Sequence, residues 1–495
     1  MDNIHLQGGR EALMRGIKKA CNTIAGTLGP KGYSLVLEDV LFPGHLVTND
    51  GWAILKKIKL ADPLEQRGVE LLKEAVEKSN KESGDGSTTA TILTSAILEE
   101  GLKLNTHGQE IKDSLDACLC IIEKSIDDQT KQITPEEVGQ VATISSGDEK
   151  IGAILQEIYT KVGKDGIVEM DNSNTPETFY EIVEGVRLKN AGFMYPYMTN
   201  DERGRSATYL NPKILITKQK INVQKDIDPL MQKLIAEGAS ELVIFCDDID
   251  PSVSNLFAMT HQQGLFKTLV IKAPTLWKNW LFEDFALMTG ATIIDPEQGL
   301  NLKRLELRHL GTCEKLIAKA DETLVFGTQD LTAHIEKLKE DGKIDDQQLL
   351  RASWLQTKTA ILKVGASSES ELSLKRLKVE DARNAAYQAL QGGIVVGGGI
   401  ALFTTAQNLP DTIGGKILKQ ALTKPLWQII GNADIKNILS DLSATNGFDA
   451  KSGETVDMWK AGIVDAAPII KNAVRNAISV AGTILTSNGV ITIEK

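Results

Sequence analysis

A chain of 495 residues is too long for one hydrophobic core and implies two or three domains. Its 42% hydrophobic and 24% charged residues are those of an ordinary globular protein. A net charge of −11 argues against a nucleic-acid surface, and nowhere do eighteen apolar residues run together, which argues against a membrane span. Five scattered cysteines (Cys21, Cys118, Cys120, Cys246, Cys313) show neither metal spacing nor a disulfide framework. Residues 1–10 lack the apolar stretch of a signal peptide, so a reducing cytoplasm is the expected compartment.

In chain order, residues 10–24 place Ala12, Leu13, Ile17, Ala20, Cys21 and Ile24 at the spacing of an amphipathic helix. A loop with two glycines and a proline, residues 27–32, follows it, and then a short strand at 35–37. Residues 46–51 read as a strand ending in a turn, because Asp50-Gly51 is by itself a hairpin signal. Helices dominate from 68 to about 127. Proline in the first turn opens another at 134, running to 162 with a break near 145–148. Short strands follow at 167–170 and 179–183.

After Gly185 strands (213–217, 241–246, 268–271, 291–294) alternate with helices (228–237, 251–262, 282–289), the pattern of an α/β domain with parallel strands. A charged segment, 330–358, reads as helical, and so does 370–390. Five glycines in the eight residues 392–399 allow a ligand or another backbone to come close. Residues 400–481 read as mostly helix, closing on short strands over 482–494. Helix-rich ends around an α/β middle suggest one domain built from both termini with another inserted in it.

The stretch with the most chemistry is Gly84-Asp85-Gly86-Ser87-Thr88-Thr89, between two predicted helices. Two glycines permit tight turning, and three hydroxyl residues then sit at a helix start, where amides and macrodipole favour a phosphate. Asp85 would be repelled by phosphates unless a cation lay between them, which makes it a candidate Mg²⁺ ligand. The plainer reading is a turn in which Ser and Thr cap the helix and Asp85 is solvated.

Thr27 to Gly32, Asn49-Asp50-Gly51, Gly84 to Thr91, Lys272-Ala273-Pro274, Val379-Glu380-Asp381-Ala382, Gly397-Gly398-Gly399 and Ile463-Val464-Asp465 occur in the order and near the spacing of one family. Through them nearly the whole chain resembles the group I chaperonins. The resemblance implies a multi-domain α and α/β fold. A mostly helical equatorial ATPase domain (1–131 and 392–495) and a small intermediate hinge domain (132–185 and 359–391) carry an inserted α/β apical domain (186–358).

It further implies an ATP-dependent chaperone that binds unfolded polypeptides in the cavity of a homo-oligomeric ring, seven-membered and single or double. Asp85 would hold Mg²⁺, with Gly86, Ser87, Thr88 and Thr89 around the phosphates of ATP. Thr27, Leu28, Gly29 and Pro30 would line the nucleotide, and Gly398 and Asp465 would lie near ribose and base. Asp50 and Asp381 would position the attacking water, Asp381 arriving only when a hinge closes. Thr27, Asn49 and Thr88 are candidates for a K⁺ site, which in this family uses backbone and hydroxyl oxygens.

Phe193, Tyr197, Met198, Leu230, Met231, Phe257 and Met259 are the polypeptide-binding candidates, while Val253 and Leu256 are expected in the core.

The chain departs from the family at several positions. Asn49 stands where a lysine is usual and Ser87 replaces a threonine, keeping the hydroxyl. Phe448-Asp449-Ala450-Lys451 replaces a stretch that offers asparagine to the base. The turn 105–110 is about three residues short, which predicts a weakened double ring or a single ring. Asp228 and Ser254 replace apolar residues of the binding stripe, predicting a narrower one, and Trp277 and Trp280 are expected in the core. No inserted segment could form a built-in lid, so a separate co-chaperonin is expected. A chain this diverged also suits a virus- or phage-encoded member acting without one. A passive holdase with little ATP turnover is the alternative, and a small-molecule kinase is disfavoured because Lys31 lacks P-loop spacing.

Overall fold

The computed structural model describes residues 4–5, 8–38, 45–104, 106–164, 166–201, 206–273, 278–327, 329–341, 348, 351–352, 355, 358–434, 442–487 and 489–491. The architecture is multi-domain, α and α/β. One unit comprises Met1–Lys164, Met170–Tyr180 and Leu362–Lys495, and the other Asp165–Glu169 and Glu181–Ile361. Among the described residues no helix is long and apolar enough to cross a membrane.

The first unit is a helical bundle containing both ends of the chain. Its first helix, Gly9–Ala25, buries Ala12, Leu13, Ile17, Ala20, Cys21 and Ile24, the face read from their spacing. This helix crosses Pro63–Ser83 through a pair of glycines. A Cβ on Gly16 would fall 1.9 Å from the Glu65 carbonyl oxygen, and one on Gly68 2.1 Å from that of Leu13. Asp62 starts Pro63–Ser83 by accepting from the Leu64 and Glu65 amides, with proline in the first turn where no amide is needed.

The next helix, Ser87–Leu102, is buried almost all round. Packed on it are Gly9–Ala25, Pro63–Ser83 and the last helix, Ala467–Thr486. Strands were expected over 482–494, yet that helix continues to Thr486 because Ile484 and Leu485 still fall on its buried face. A two-residue strand, Val490–Ile491, then pairs antiparallel with Ile4–His5. Three short strands break the predominantly helical reading of 400–481. Asn446–Asp449 and Glu454–Asp457 form a hairpin, and Val464–Ala466 pairs with Ile394–Val396.

The second unit is the expected α/β body. Lys213–Thr217, Glu241–Cys246 and Lys267–Lys272 run parallel, and Ile293–Ile294 joins the far side of Lys213–Thr217, also parallel. Their apolar runs are buried, as a sheet covered on both faces requires. Phe245 meets Phe282 and Phe285 edge to face at 5.1 and 4.9 Å. An antiparallel set unsuspected from sequence joins Phe179–Lys189, Glu322–Phe326, Lys315–Ala318 and Ala207–Leu210, in that order.

Within this unit Asp284 is buried and takes two hydrogen bonds from the Arg351 guanidinium, with His334 Nε2 at 2.9 Å. Trp280 is half-buried rather than core, and the same guanidinium lies over its ring. The helix expected over 330–358 is described at Thr332–Asp341. Asn105, residues 274–277 (with Trp277) and 492–495 lie outside the described residues.

Candidate nucleotide site

All the predicted nucleotide and catalytic residues belong to the first unit. Two left-handed glycines shape its central turn. Gly84 (φ +68°) ends Pro63–Ser83, its amide bonding the Asn80 carbonyl, and Gly86 (φ +83°) opens Ser87–Leu102. No side chain caps this second helix, so its first-turn amides, at Ser87, Thr88 and Thr89, are left for an anion.

Asp85 lies between the two glycines, half-buried, and its two carboxylate oxygens are already engaged. Gly86 N–H donates to one and Ser145 Oγ to the other, at 2.9 Å. Ser145 is a site residue that sequence reading missed, although it was noted as part of a helix break.

Asp50 is not in a hairpin turn. Its carboxylate caps a helix, Gly51–Lys57, accepting from Trp52 N–H at 3.2 Å and Ala53 N–H at 2.8 Å. Asp-Gly serves a helix start as readily as a hairpin, and the buried Trp52, Ile54 and Leu55 decide for the helix. Gly51 lets this segment reach the Gly84–Thr89 turn. A Cβ there would sit 2.5 Å from Thr88 Oγ1 and 3.0 Å from Ser87 Oγ. Asn49 is half-buried between Asp50 and the buried Thr48, whose hydroxyl accepts the Asp50 N–H.

The loop after the first helix is fixed from several sides. Thr27 is buried, with Oγ1 donating to the Ile24 carbonyl, while Leu28 packs against the cluster of Cys21, Ala25 and Ile92. Gly29 (φ +84°) rests on Ile429, and Pro30 is exposed. Asn432, unsuspected from sequence, donates its amide to the Ala25 and Leu28 carbonyls at 2.9 and 2.8 Å.

On another side, pairing of Ile394–Val396 with Val464–Ala466 sets Asp465 opposite Val395, close in sequence to Gly398. Gly398 (φ +63°) stands in the left-handed region that favours glycine, with a Cβ position 2.8 Å from the terminal methyl of Met458.

Electrostatics joins these pieces. Burial raises the Asp85 carboxyl to about 6, with the charge of Asp50 adding to the effect. Burial also raises Asp465 to about 7, with help from Asp85. Asp50 is raised too, first by burial and then by Glu380, against the pull of its capping hydrogen bonds. Asp50 thus opposes the ionisation of Asp85, and Asp85 that of Asp465, beside an uncapped helix start. Among the described residues no three acidic, His or Cys side chains converge as a metal cage.

Asp381 was expected to stand away until a hinge closes. Its helix, Glu369–Gly392, is joined to the turn through an Asn384 Nδ2 bond to the Gly84 carbonyl, at 3.1 Å. Asp381 is half-buried on that helix.

The sequence profile of the TCP-1/cpn60 chaperonin family matches residues 21–495. The chain belongs to that family. Among solved structures it is similar to the chaperonin gp146 from the bacteriophage EL 2 (Pseudomonas aeruginosa), determined in the presence of ATP-BeFx in two crystal forms. Identity is 17% in both, 99% of each chain is covered, and the TM-scores are 0.71 for form II and 0.67 for form I. Likeness at that identity speaks for the fold.

The second unit of this chaperonin corrects the predicted polypeptide-binding surface. Met198, Leu230 and Phe257 are fully buried in its core, where the parallel sheet needs cover, and offer nothing to a client. Phe193, Tyr197 and Met231 are half-buried against the same core. Met259 is 58% exposed and is the one predicted contact clearly open to solvent. Helical spacing alone could not tell these faces apart. Val253 is core as expected, whereas Leu256 is half-buried. Ser254 is buried as well, because Tyr197 Oη donates to its carbonyl at 2.8 Å. Ile235 and Leu265, which sequence reading passed over, are 58% and 67% exposed.

Proposed function

We propose that this chaperonin is an ATP-dependent folding chaperone whose first unit binds and hydrolyses ATP while its second unit holds unfolded polypeptide. The observation that carries the ATPase reading is the crowding of Asp50, Asp85 and Asp465 at the uncapped start of Ser87–Leu102. Such a site is complementary to phosphates that bring a divalent cation with them.

The amides and hydroxyls of Ser87, Thr88 and Thr89, with Gly86 at close approach, cradle the phosphates. Asp85 holds Mg²⁺, which when bound neutralises phosphate charge. Thr27, Leu28, Gly29 and Pro30 line the nucleotide, and Asp465 and Gly398 meet ribose and base. Asp50 and Asp381 orient the attacking water, because phosphoryl transfer depends on alignment and charge more than on covalent chemistry. Thr27, Asn49 and Thr88 supply oxygens for K⁺.

In the same reading residues 1–131 and 392–495 form the equatorial domain, 132–185 and 359–391 the intermediate domain, and 186–358 the apical domain. The chains assemble as a cytoplasmic seven-membered ring with weakened or absent back-to-back contacts, closed by a co-chaperonin or working without one. Exposed Met259 marks the polypeptide-binding face.

The test is steady-state ATPase of wild type and Asp381→Ala, with and without K⁺ and an unfolded substrate. The expected result is nucleotide binding retained in the variant with turnover lowered by orders of magnitude. Equal, negligible turnover in both proteins would refute the ATPase cycle and leave a passive holdase.

A further inference from the structure

The carbonyls that end the first helix, Gly9–Ala25, need partners from outside it. The Ile24 carbonyl takes the Thr27 N–H at 2.9 Å and the Thr27 hydroxyl at 2.8 Å. The Ala25 carbonyl and, across the turn, the Leu28 carbonyl take the two hydrogens of Asn432 Nδ2, at 2.9 and 2.8 Å. Asn432 Oδ1 accepts in turn from Gln428 Nε2 at 2.8 Å, one turn earlier on Lys424–Asn432. Carbonyls can only accept, so this amide has one orientation that serves all its neighbours, and Gln428 must offer its nitrogen.

One side chain, more than four hundred residues away in sequence, thus ties the end of a helix to the turn that follows it. The turn is otherwise closed on itself. Tyr33 N–H bonds the Gly26 carbonyl and Gly32 N–H the Gly29 carbonyl, both at 3.0 Å. A Cβ on Gly32 would fall 2.2 Å from the Thr27 carbonyl oxygen. Ile429, three residues before Asn432 and so on its side of the helix, lies under Gly29.

We propose that Asn432 is a positioning residue for the nucleotide, which by holding the Ala25 and Leu28 carbonyls together sets where Thr27, Leu28, Gly29 and Pro30 stand. The proposal rests on the ATPase reading above, which lays those four residues along the nucleotide, and adds the residue that places them. A ligand that meets an ordered loop loses less in ordering it, so these bonds contribute to affinity. They touch no reacting atom, and a contact made equally with bound substrate and transition state leaves turnover alone.

Three variants of the full-length protein test it, at saturating Mg²⁺ and K⁺. Asn432→Leu is of similar volume and loses all three bonds. Asn432→Asp still accepts from Gln428 but sets a charge against two carbonyls to which it cannot donate. In Asn432→Leu the Kd for a fluorescent ADP and the KM for ATP should rise about tenfold, with kcat within about threefold of wild type, and in Asn432→Asp both should rise further. Gln428→Met leaves the Asn432 donors in place and should raise Kd only about threefold. This milder variant decides the matter should the other two fail to fold, an unchanged Kd overturning the proposal. A role limited to stability would lower Tm and leave Kd and KM of the folded variants at wild-type values, which would overturn it too. So would a fall in kcat with KM unchanged. Should wild type itself bind no ADP, the ATPase reading falls and takes this inference with it, whereas tight binding by wild type and variants alike removes the inference only.

Discussion

Neutralising Asp85 should stabilise the nucleotide-free protein and at the same time remove its response to Mg²⁺-nucleotide. Asn suits the position because it keeps both local bonds, accepting from Gly86 N–H and donating to Ser145 Oγ in place of accepting from it. Only the charge is lost. The carboxyl stands at about 6 against 3.8 for an ordinary aspartate, and at about 1.4 kcal/mol per unit that gap amounts to about 3 kcal/mol. Asp85 is half-buried, and solvent screening leaves about 1–2 kcal/mol of this to be recovered. For a unit of roughly 300 residues unfolding with about 2 cal/mol/K per residue, Tm should rise by about 2–3 °C. Relief of Asp465, which the same charge pushes up, acts in the same direction.

The sign follows from the raised folded value. Below about pH 4 the carboxyl is protonated in folded and unfolded chains alike, and its burial carries no charge penalty. Between about pH 4 and 6 the unfolded chain releases its proton first, so wild-type stability falls as pH rises; above about 6 the loss is complete. Thermal unfolding of wild type and Asp85→Asn without nucleotide should therefore show little difference at pH 4 and the full gain at pH 7.5. Saturating Mg²⁺-ADP should reverse the order, stabilising wild type and leaving the variant nearly unmoved. A variant no more stable than wild type at pH 7.5, or equally more stable at both pH values, would refute the reasoning.

Other expectations test the packing. Gly68→Ala should destabilise the first unit by about 1–3 kcal/mol in denaturant unfolding, because its new methyl meets the Leu13 carbonyl across the helix crossing. Arg351→Ala strips the buried Asp284 of its two guanidinium bonds and should lower the stability of the second unit by about 3–5 kcal/mol, seen as an earlier urea midpoint. Leu230→Ala and Met259→Ser should part company in a two-assay comparison. The buried Leu230 should lose about 2–5 kcal/mol of stability, whereas Met259 should keep its Tm and bind a denatured client more weakly.

Short-range rules carried the reading wherever sequence neighbours decide the structure. The first helix's buried face, the parallel strands with their crossover helices, and the glycine turn all follow from periodicity or backbone freedom within a dozen residues. Asp50 shows where such rules fall short. Asp-Gly suits a hairpin and a helix start equally, and the choice rests on whether Trp52, Ile54 and Leu55 find a core to enter. The antiparallel set in the second unit was missed for the same reason. Phe179–Lys189 pairs with Glu322–Phe326, more than a hundred residues on, and nothing local marks that partnership.

The site residues divide along the same line. Asp85 stands out in the sequence as a candidate metal ligand because a carboxylate among candidate phosphate-binding groups contradicts its neighbours unless a cation resolves the conflict. Ser145, Asn384 and Asn432 carry no such contradiction; each is an ordinary polar residue on a helix until tertiary packing brings it to a carboxylate or a carbonyl. The client surface failed in the opposite sense. Leu230 and Phe257 carry the apolar character that a binding face and a core share, and burial alone separates the two uses. Sequence can therefore name candidate groups for a nucleotide, since their chemistry is awkward anywhere else. The residues that hold those groups in place become visible only with the fold.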